Sequence, residues 1–195
     1  MNHIEKFNQL AGHYDTPINR QMAQLAVEAI RRLKDETNTQ TAADLGCGTG
    51  LIGLNLLDAF DSMLFVDGSH KMLEKVEETL RRKNITHASV LQLNIENNLQ
   101  LPHKMDTLIL SLVLHHIGNQ AKLIANLYQQ LTDGGQLFII EMEKTQPNHH
   151  GVDRAELADK LSAAGFQEIH FETIYDAQHD SDKHHGTRFI LSARK

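Results

Sequence analysis

Asp44-Leu45-Gly46-Cys47-Gly48-Thr49-Gly50 brings three glycines, a carboxylate and the chain's single thiol into one short stretch. Glycines in such a cluster let the backbone adopt positive φ and let a ligand approach where a side chain would collide. A second carboxylate, Asp67, ends the next apolar run, and a carboxylate there can accept two adjacent O–H donors, as a ribose presents. Further along, His115 and His116 close another apolar run, and imidazole titrates near neutrality. Tyr14 adds a phenol near the N-terminus. Together these residues predict a site for a small nucleotide-like ligand with proton-accepting groups at its rim.

Regular elements must hold those residues in place. Ala42 to Leu45 reads as a short apolar strand running into the glycine loop, and Leu51 to Phe60 resumes a helical pattern after it. Strands are expected at Met63 to Val66, Val90 to Leu93, Asp106 to Leu112 and Leu137 to Ile140, with helices between them carrying Met72, Leu73, Val76 and Leu80, and then Leu123, Ile124, Leu127 and Leu131. Asp133-Gly134-Gly135 is expected to stop the latter helix as a turn. Asp153 caps a further helix ending near Ala164-Gly165, and Phe166 to Ile174 and Thr187 to Ala193 close the pattern as strands. An amphipathic helix from Pro17 to Lys34 precedes all of this. Strand and helix alternate throughout, which predicts an α/β fold with a mainly parallel sheet. In such a sheet a loop at the carboxyl end of the first strand lies at the ligand crevice.

Two kinds of ligand compete for the loop. Gly48-Thr49-Gly50-Leu51-Ile52-Gly53 satisfies the G-x-G-x-x-G spacing of nicotinamide and flavin binders, with Asp67 downstream, so an NAD(P)-dependent oxidoreductase is one reading. The glycine run begins earlier, however, at Gly46, and Asp44 precedes it inside the strand. A carboxylate beside a pyrophosphate would repel it, whereas it suits a cationic ligand.

Ala43 to Gly50 closely resembles the first motif of class I S-adenosylmethionine-dependent methyltransferases. Val66-Asp67-Gly68-Ser69-His70-Lys71-Met72-Leu73 looks like that family's second-strand motif. Leu99-Gln100-Leu101-Pro102 before Met105-Asp106 looks like the lead into strand four, Ser111 to Ile117 like the segment closing it, and Leu131 to Leu137 like the lead into strand five. Phe7 to Asp15 resembles the N-terminal segment that these enzymes fold over the cofactor. Within the family the chain is similar to the small-molecule type, as in the methyltransferase domains of the ubiquinone/menaquinone-methyltransferase-like group.

The resemblance implies a Rossmann-like, doubly wound, seven-stranded and mostly parallel sheet whose last strand is antiparallel, under an N-terminal helical cover. It also implies one domain over residues 1–195, with a lid and helix at 1–40 and a cofactor-binding core at 41–195. The cofactor is expected to be S-adenosylmethionine, leaving S-adenosylhomocysteine, and the partner a small-molecule methyl acceptor; a catalytically silent cofactor-binding protein is a further reading. Asp44, Gly46, Cys47, Gly48 and Gly50 would form the donor loop. Asp67 would bind the ribose, followed by Gly68, with Met72 against the adenine. Asn94 stands where many relatives carry Asp to accept from the adenine amino group, beside Ile95, and Ser111 ends strand four. His115 and His116 are candidate bases or packing residues, Tyr14 a candidate to reach the methyl group, and Cys47 a loop-shaping residue rather than a nucleophile.

Composition narrows the field further. With 195 residues, 41% of them apolar, and 19 basic against 25 acidic side chains, the net charge is −6. No dense Lys/Arg cluster offers the footprint that neutralises phosphates, so neither nucleic acid nor an anionic membrane is expected as the partner. Apolar runs fall far short of the roughly 20 residues that span a bilayer, no signal-peptide pattern opens the chain, and one cysteine suits a reducing, cytoplasmic setting. The 13 histidines include His149-His150, His179 and His184-His185 in polar stretches. Without a carboxylate or thiol framework, no metal site is expected from them. The stretch from Tyr175 to Gly186 is expected to be a surface loop or flap. Nothing in the sequence sets the oligomeric state.

Overall fold

Period-two alternation in the central strands divides their side chains between two cores. Ala43, Leu45, Leu64, Val66, Leu108, Leu110, Leu137 and Ile139 face one side, while Ala42, Met63, Phe65, Ile109, Phe138 and Ile140 face the other. Strands buried on both faces read as continuous apolar runs, as these do. The computed structural model describes residues 3–37, 40–144, 151–177 and 186–195.

In chain order the elements are α1 (His3–Leu10), α2 (Pro17–Leu33), β1 (Thr41–Leu45), β2 (Ser62–Asp67), α3 (His70–Arg82), β3 (Ala88–Gln92), β4 (Met105–Ser111), α4 (Gln120–Gln130), β5 (Leu131–Met142), α5 (Arg154–Ala164), β6 (Gln167–Tyr175) and β7 (Arg188–Arg194). The seven strands form one sheet in the order β3-β2-β1-β4-β5-β7-β6. β7 runs antiparallel to both of its neighbours and the other pairings are parallel, as expected. Helices α2 and α3 cover one face through Ala26, Val27, Ile30, Leu73 and Val76. Helices α4 and α5 cover the other through Leu123, Ile124, Leu127, Leu157 and Leu161. Each of these Val, Leu and Ile side chains, fully buried, contributes about 1.5–3 kcal/mol.

Local chemistry sets the helix ends. Thr16 caps α2 ahead of Pro17, Ser69 caps α3, Asn119 caps α4 and Asp153 caps α5. Gly165, at φ 103°, ends α5 in the left-handed conformation that favours glycine.

Two expectations are corrected. After the glycine loop, Leu51 to Phe60 forms no α-helix but two single 3₁₀ turns, Gly53–Asn55 and Leu57–Ala59. The Gly53 N–H is taken by the Asp44 carboxylate at 3.0 Å, and the Asn55 amide bonds back to Leu51 O, so side chains capture groups that a helix would use. Likewise, Asp133-Gly134-Gly135 lies within β5 rather than ahead of it. Gly134 N–H donates to Lys195 O and Lys195 N–H to Gly135 O, so the chain's C-terminal residue pairs with this irregular strand start. No helix among the described residues is long and apolar enough to cross a membrane.

Candidate functional site

A cleft runs over the carboxyl ends of the parallel strands in two connected lobes. The first, a cavity of about 140 Å³, lies between α1, the glycine loop, the end of β2 and the loops after β3 and β4. The second, about 60 Å³, extends from the glycine loop under α2 and across the ends of β4 and β5 to the start of β7. Tyr14, Gly46, Gly48, Ser111 and Leu112 line both lobes.

Gly46, Gly48 and Gly50 all have positive φ, at 70°, 54° and 83°. At Gly46 a Cβ would stand 2.5 Å from Val113 Cγ2, so strand four's exit already occupies that space. Asp67 straps the loop down: one oxygen accepts the Gly48 N–H at 2.8 Å and the other the Ser69 N–H at 2.7 Å. Each oxygen keeps a lone pair for a further donor, so the carboxylate fits a ribose diol while holding the loop. Burial pushes Asp67 above the ordinary carboxylate range, against the pull of these backbone N–H groups. Met72 and Ile95 are buried walls of the same lobe, with Gly68 between Ile4 and Asn94. Asn94 lines the lobe, and its amide oxygen already accepts the Glu96 N–H at 3.1 Å in an Asx turn. Glu96 in turn accepts the Gly118 N–H at 2.9 Å and so ties the loop after β3 to the loop after β4.

Asp44 is 2% exposed and lines the second lobe. Burial raises its pKa to about 7, only partly offset by the Gly53 N–H, with Asp67 adding to the rise. Such a group is poised between neutral and charged, and a cation in the lobe would favour its ionised form. Cys47 lies beside it, and burial first, then the Asp44 and Asp67 carboxylates, push its thiol far up. With no α-helix behind the loop, the N-terminal dipole that lowers thiol pKa is missing as well.

The N-terminal segment is tied to the glycine loop and to the start of α3 by side-chain contacts. Thr49 Oγ1 donates to Asp15 Oδ1 at 2.5 Å, Ser69 Oγ donates to Asn8 Oδ1 at 2.7 Å, and Ile4 packs over Gly68. The Phe7 ring meets Tyr14 and His116 edge-on at 6.4 and 5.6 Å between centroids. Tyr14 lies against Gly48, and its pKa is raised chiefly by burial.

The two histidines take different places. His116 lines the first lobe. His115, its side chain 8% exposed, packs against His116 at 3.9 Å and pairs through Nδ1 with Glu141 Oε2 at 2.8 Å. Glu141 is fully buried, and its other oxygen takes the Leu114 N–H at 2.6 Å. Sequence reasoning missed Glu141, as it missed Arg188 in the second lobe; the available signal was a charged residue inside an otherwise apolar strand. His149, His150, His179, His184 and His185 lie outside the described residues, as does most of the Tyr175 to Gly186 stretch. Among the described residues no group of three His, Cys, Asp or Glu side chains is arranged to hold a metal.

Comparison with known proteins fits this geometry. Residues 43–137 match the methyltransferase domain family. An uncharacterized methyltransferase of Schizosaccharomyces pombe is 29% identical over 128 residues, covering 62% of this chain and 45% of that protein. A malonyl-[acyl-carrier protein] O-methyltransferase of Bacillus cereus is 27% identical over 140 residues, covering 69% and 50%. The chain thus spans about half the length of the curated relatives it matches. In fold it is similar to the N-methyltransferase NodS of Bradyrhizobium japonicum, solved with S-adenosyl-L-homocysteine, at a TM-score of 0.78 and 15% identity over 100% of this chain and 99% of that one. A magnesium protoporphyrin IX methyltransferase of Synechocystis superposes at 0.70 with 18% identity, covering 100% of this chain and 85% of that one. In its matched domain, its sheet order and its strapped glycine loop, the chain has the fold of the class I S-adenosylmethionine-dependent methyltransferases.

Proposed function

We propose that this chain transfers a methyl group from S-adenosylmethionine to a small-molecule acceptor, mainly by positioning the two. The observation that carries the reading is the two-lobed cleft shared by Tyr14, Gly46, Gly48, Ser111 and Leu112: one lobe suits an adenosine, the other a charged tail and an acceptor. When bound, S-adenosylmethionine supplies an electrophilic methyl on a sulfonium, whose departure as a neutral thioether needs no proton.

The residues of the chain divide the remaining work. Asp67 takes the ribose hydroxyls on its spare lone pairs, Asn94 accepts from the adenine edge, and Met72 and Ile95 flank the base. Asp44, near its midpoint at neutral pH, ionises against the cationic ligand. Holding acceptor and methyl in line replaces a two-body encounter, an effect that reaches about 7–11 kcal/mol in favourable cases. His116, on the cleft wall, takes a proton when the acceptor is a hydroxyl or an ammonium; His115 positions it, fixed in turn by Glu141. Tyr14 closes the methyl's side of the lid. The absence of a dense basic cluster in the sequence supports a small acceptor over a nucleic acid, and the single free thiol suits a cytoplasmic enzyme.

A labelled-methyl assay on fractionated metabolite extract tests the reading. Labelled product should appear with the native chain and vanish with Gly46→Ala. Binding of S-adenosylhomocysteine without any labelled product would make this a silent cofactor-binding protein instead.

A further inference from the structure

Arg188 opens β7 at the far end of the second lobe. It is 8% exposed, and its buried Nε has no hydrogen-bond partner among the described residues. A guanidinium stays charged, and a buried charge left unpaired is costly, so such a group is normally matched by an anion. Arg154 also has a buried unpaired Nε, but its Nη2 meets Glu143 at 3.0 Å and Thr173 at 2.8 Å. Arg188 has no comparable ion pair among the described residues. Glu141 attracts it from a distance, its two oxygens each holding one nearer donor, Leu114 N–H and His115, with no hydrogen bond to Arg188 among the described residues. Burial works against its charge.

Position indicates whose anion this is. The lobe crosses the sheet from the glycine loop at the end of β1, past Ser111 and Leu112 after β4 and Ile140 in β5, to Arg188. β7 is three strand positions from β1, about 14 Å away at the usual spacing of neighbouring strands. The donor's tail belongs beside Gly46 to Thr49, which leaves the β7 end to the acceptor. We propose that Arg188 receives a carboxylate carried by the methyl acceptor, making small organic acids the substrate class of the site. This rests on the methyltransferase reading.

Two measurements test it. Calorimetry compares S-adenosylhomocysteine binding to the native chain, Arg188→Gln and Arg188→Lys. Saturation-transfer NMR on the S-adenosylhomocysteine-loaded protein then compares benzoate with benzamide and glutarate with glutaramide. Cofactor affinity should agree among the three proteins within about twofold, while the native chain favours each acid over its amide by about tenfold, the scale of one charged hydrogen bond. That preference should vanish in Arg188→Gln and partly survive in Arg188→Lys. Equal signals from acids and amides on the native chain would overturn the proposal, a result that needs no variant to fold. Loss of cofactor affinity by about tenfold in Arg188→Gln would also overturn it, giving the residue to the donor's own carboxylate. Failure of the native chain to bind S-adenosylhomocysteine would sink the methyltransferase reading instead, and the acid and amide pairs on the unloaded protein would still decide whether Arg188 binds anions.

Discussion

Asp44 shows how a residue legible as a motif member acquires its properties only from packing. Its place ahead of the glycines marks it from sequence, but its burial and its bond to Gly53 depend on how the following turn folds. With a folded pKa of about 7 against an ordinary 3.8, the native state binds more protons than the unfolded chain between those values. Stability therefore falls as pH rises through that window, by at most about 4 kcal/mol. Urea melts at about pH 5 and pH 8 should show this decline, and Asp44→Asn should flatten it. Gly46 sets a second prediction. Alanine there meets Val113 and a φ of 70°, so Gly46→Ala should lose about 1–3 kcal/mol of stability by thermal melt and abolish cofactor binding. Glu141 and Arg188 were not legible by spacing, because neither belongs to a local pattern. Only the pairing of β5 with β4 and β7 brings Glu141 behind His115 and Arg188 to the cleft.

Elements were read well where periodicity and caps agree, and poorly where side chains compete for backbone groups. The strand alternation, the Asp153 and Gly165 signals around α5 and the Pro17 start of α2 all carry their own physical cause within a few residues. The stretch after the glycine loop does not, since Leu51 to Phe60 has helical spacing while Asp44 and Asn55 divert its N–H and C=O groups. The early start of β5 depends on Lys195, at the C-terminal end of the chain, and no local signal could announce it. Side-chain hydrogen bonds anchor the N-terminal segment over the glycine loop, and Thr49→Val removes the one to Asp15. A net loss of about 1 kcal/mol should follow, seen as faster hydrogen exchange in α1 and its flanks. S-adenosylhomocysteine should restore protection in both proteins, because Ile4, Phe7 and Tyr14 form one wall of the first lobe.

For the molecule as a whole, two cores on one sheet leave the carboxyl ends of the strands as the place where loops can part and a ligand can enter. The sequence's glycine spacing alone allowed a dinucleotide there. The structure puts 3₁₀ turns where a pyrophosphate would need a helix N-terminus. A ligand bound only by the native state stabilises it, by about 2.7 kcal/mol at a hundred times its dissociation constant, or about 5–10 °C for a chain of this size. The most direct test of the account is calorimetric titration of the native chain with S-adenosylhomocysteine and, separately, with NADH. The account predicts saturable one-site binding of S-adenosylhomocysteine, lost in Gly46→Ala, and no heat of binding with NADH. Binding of NADH with none of S-adenosylhomocysteine would contradict it.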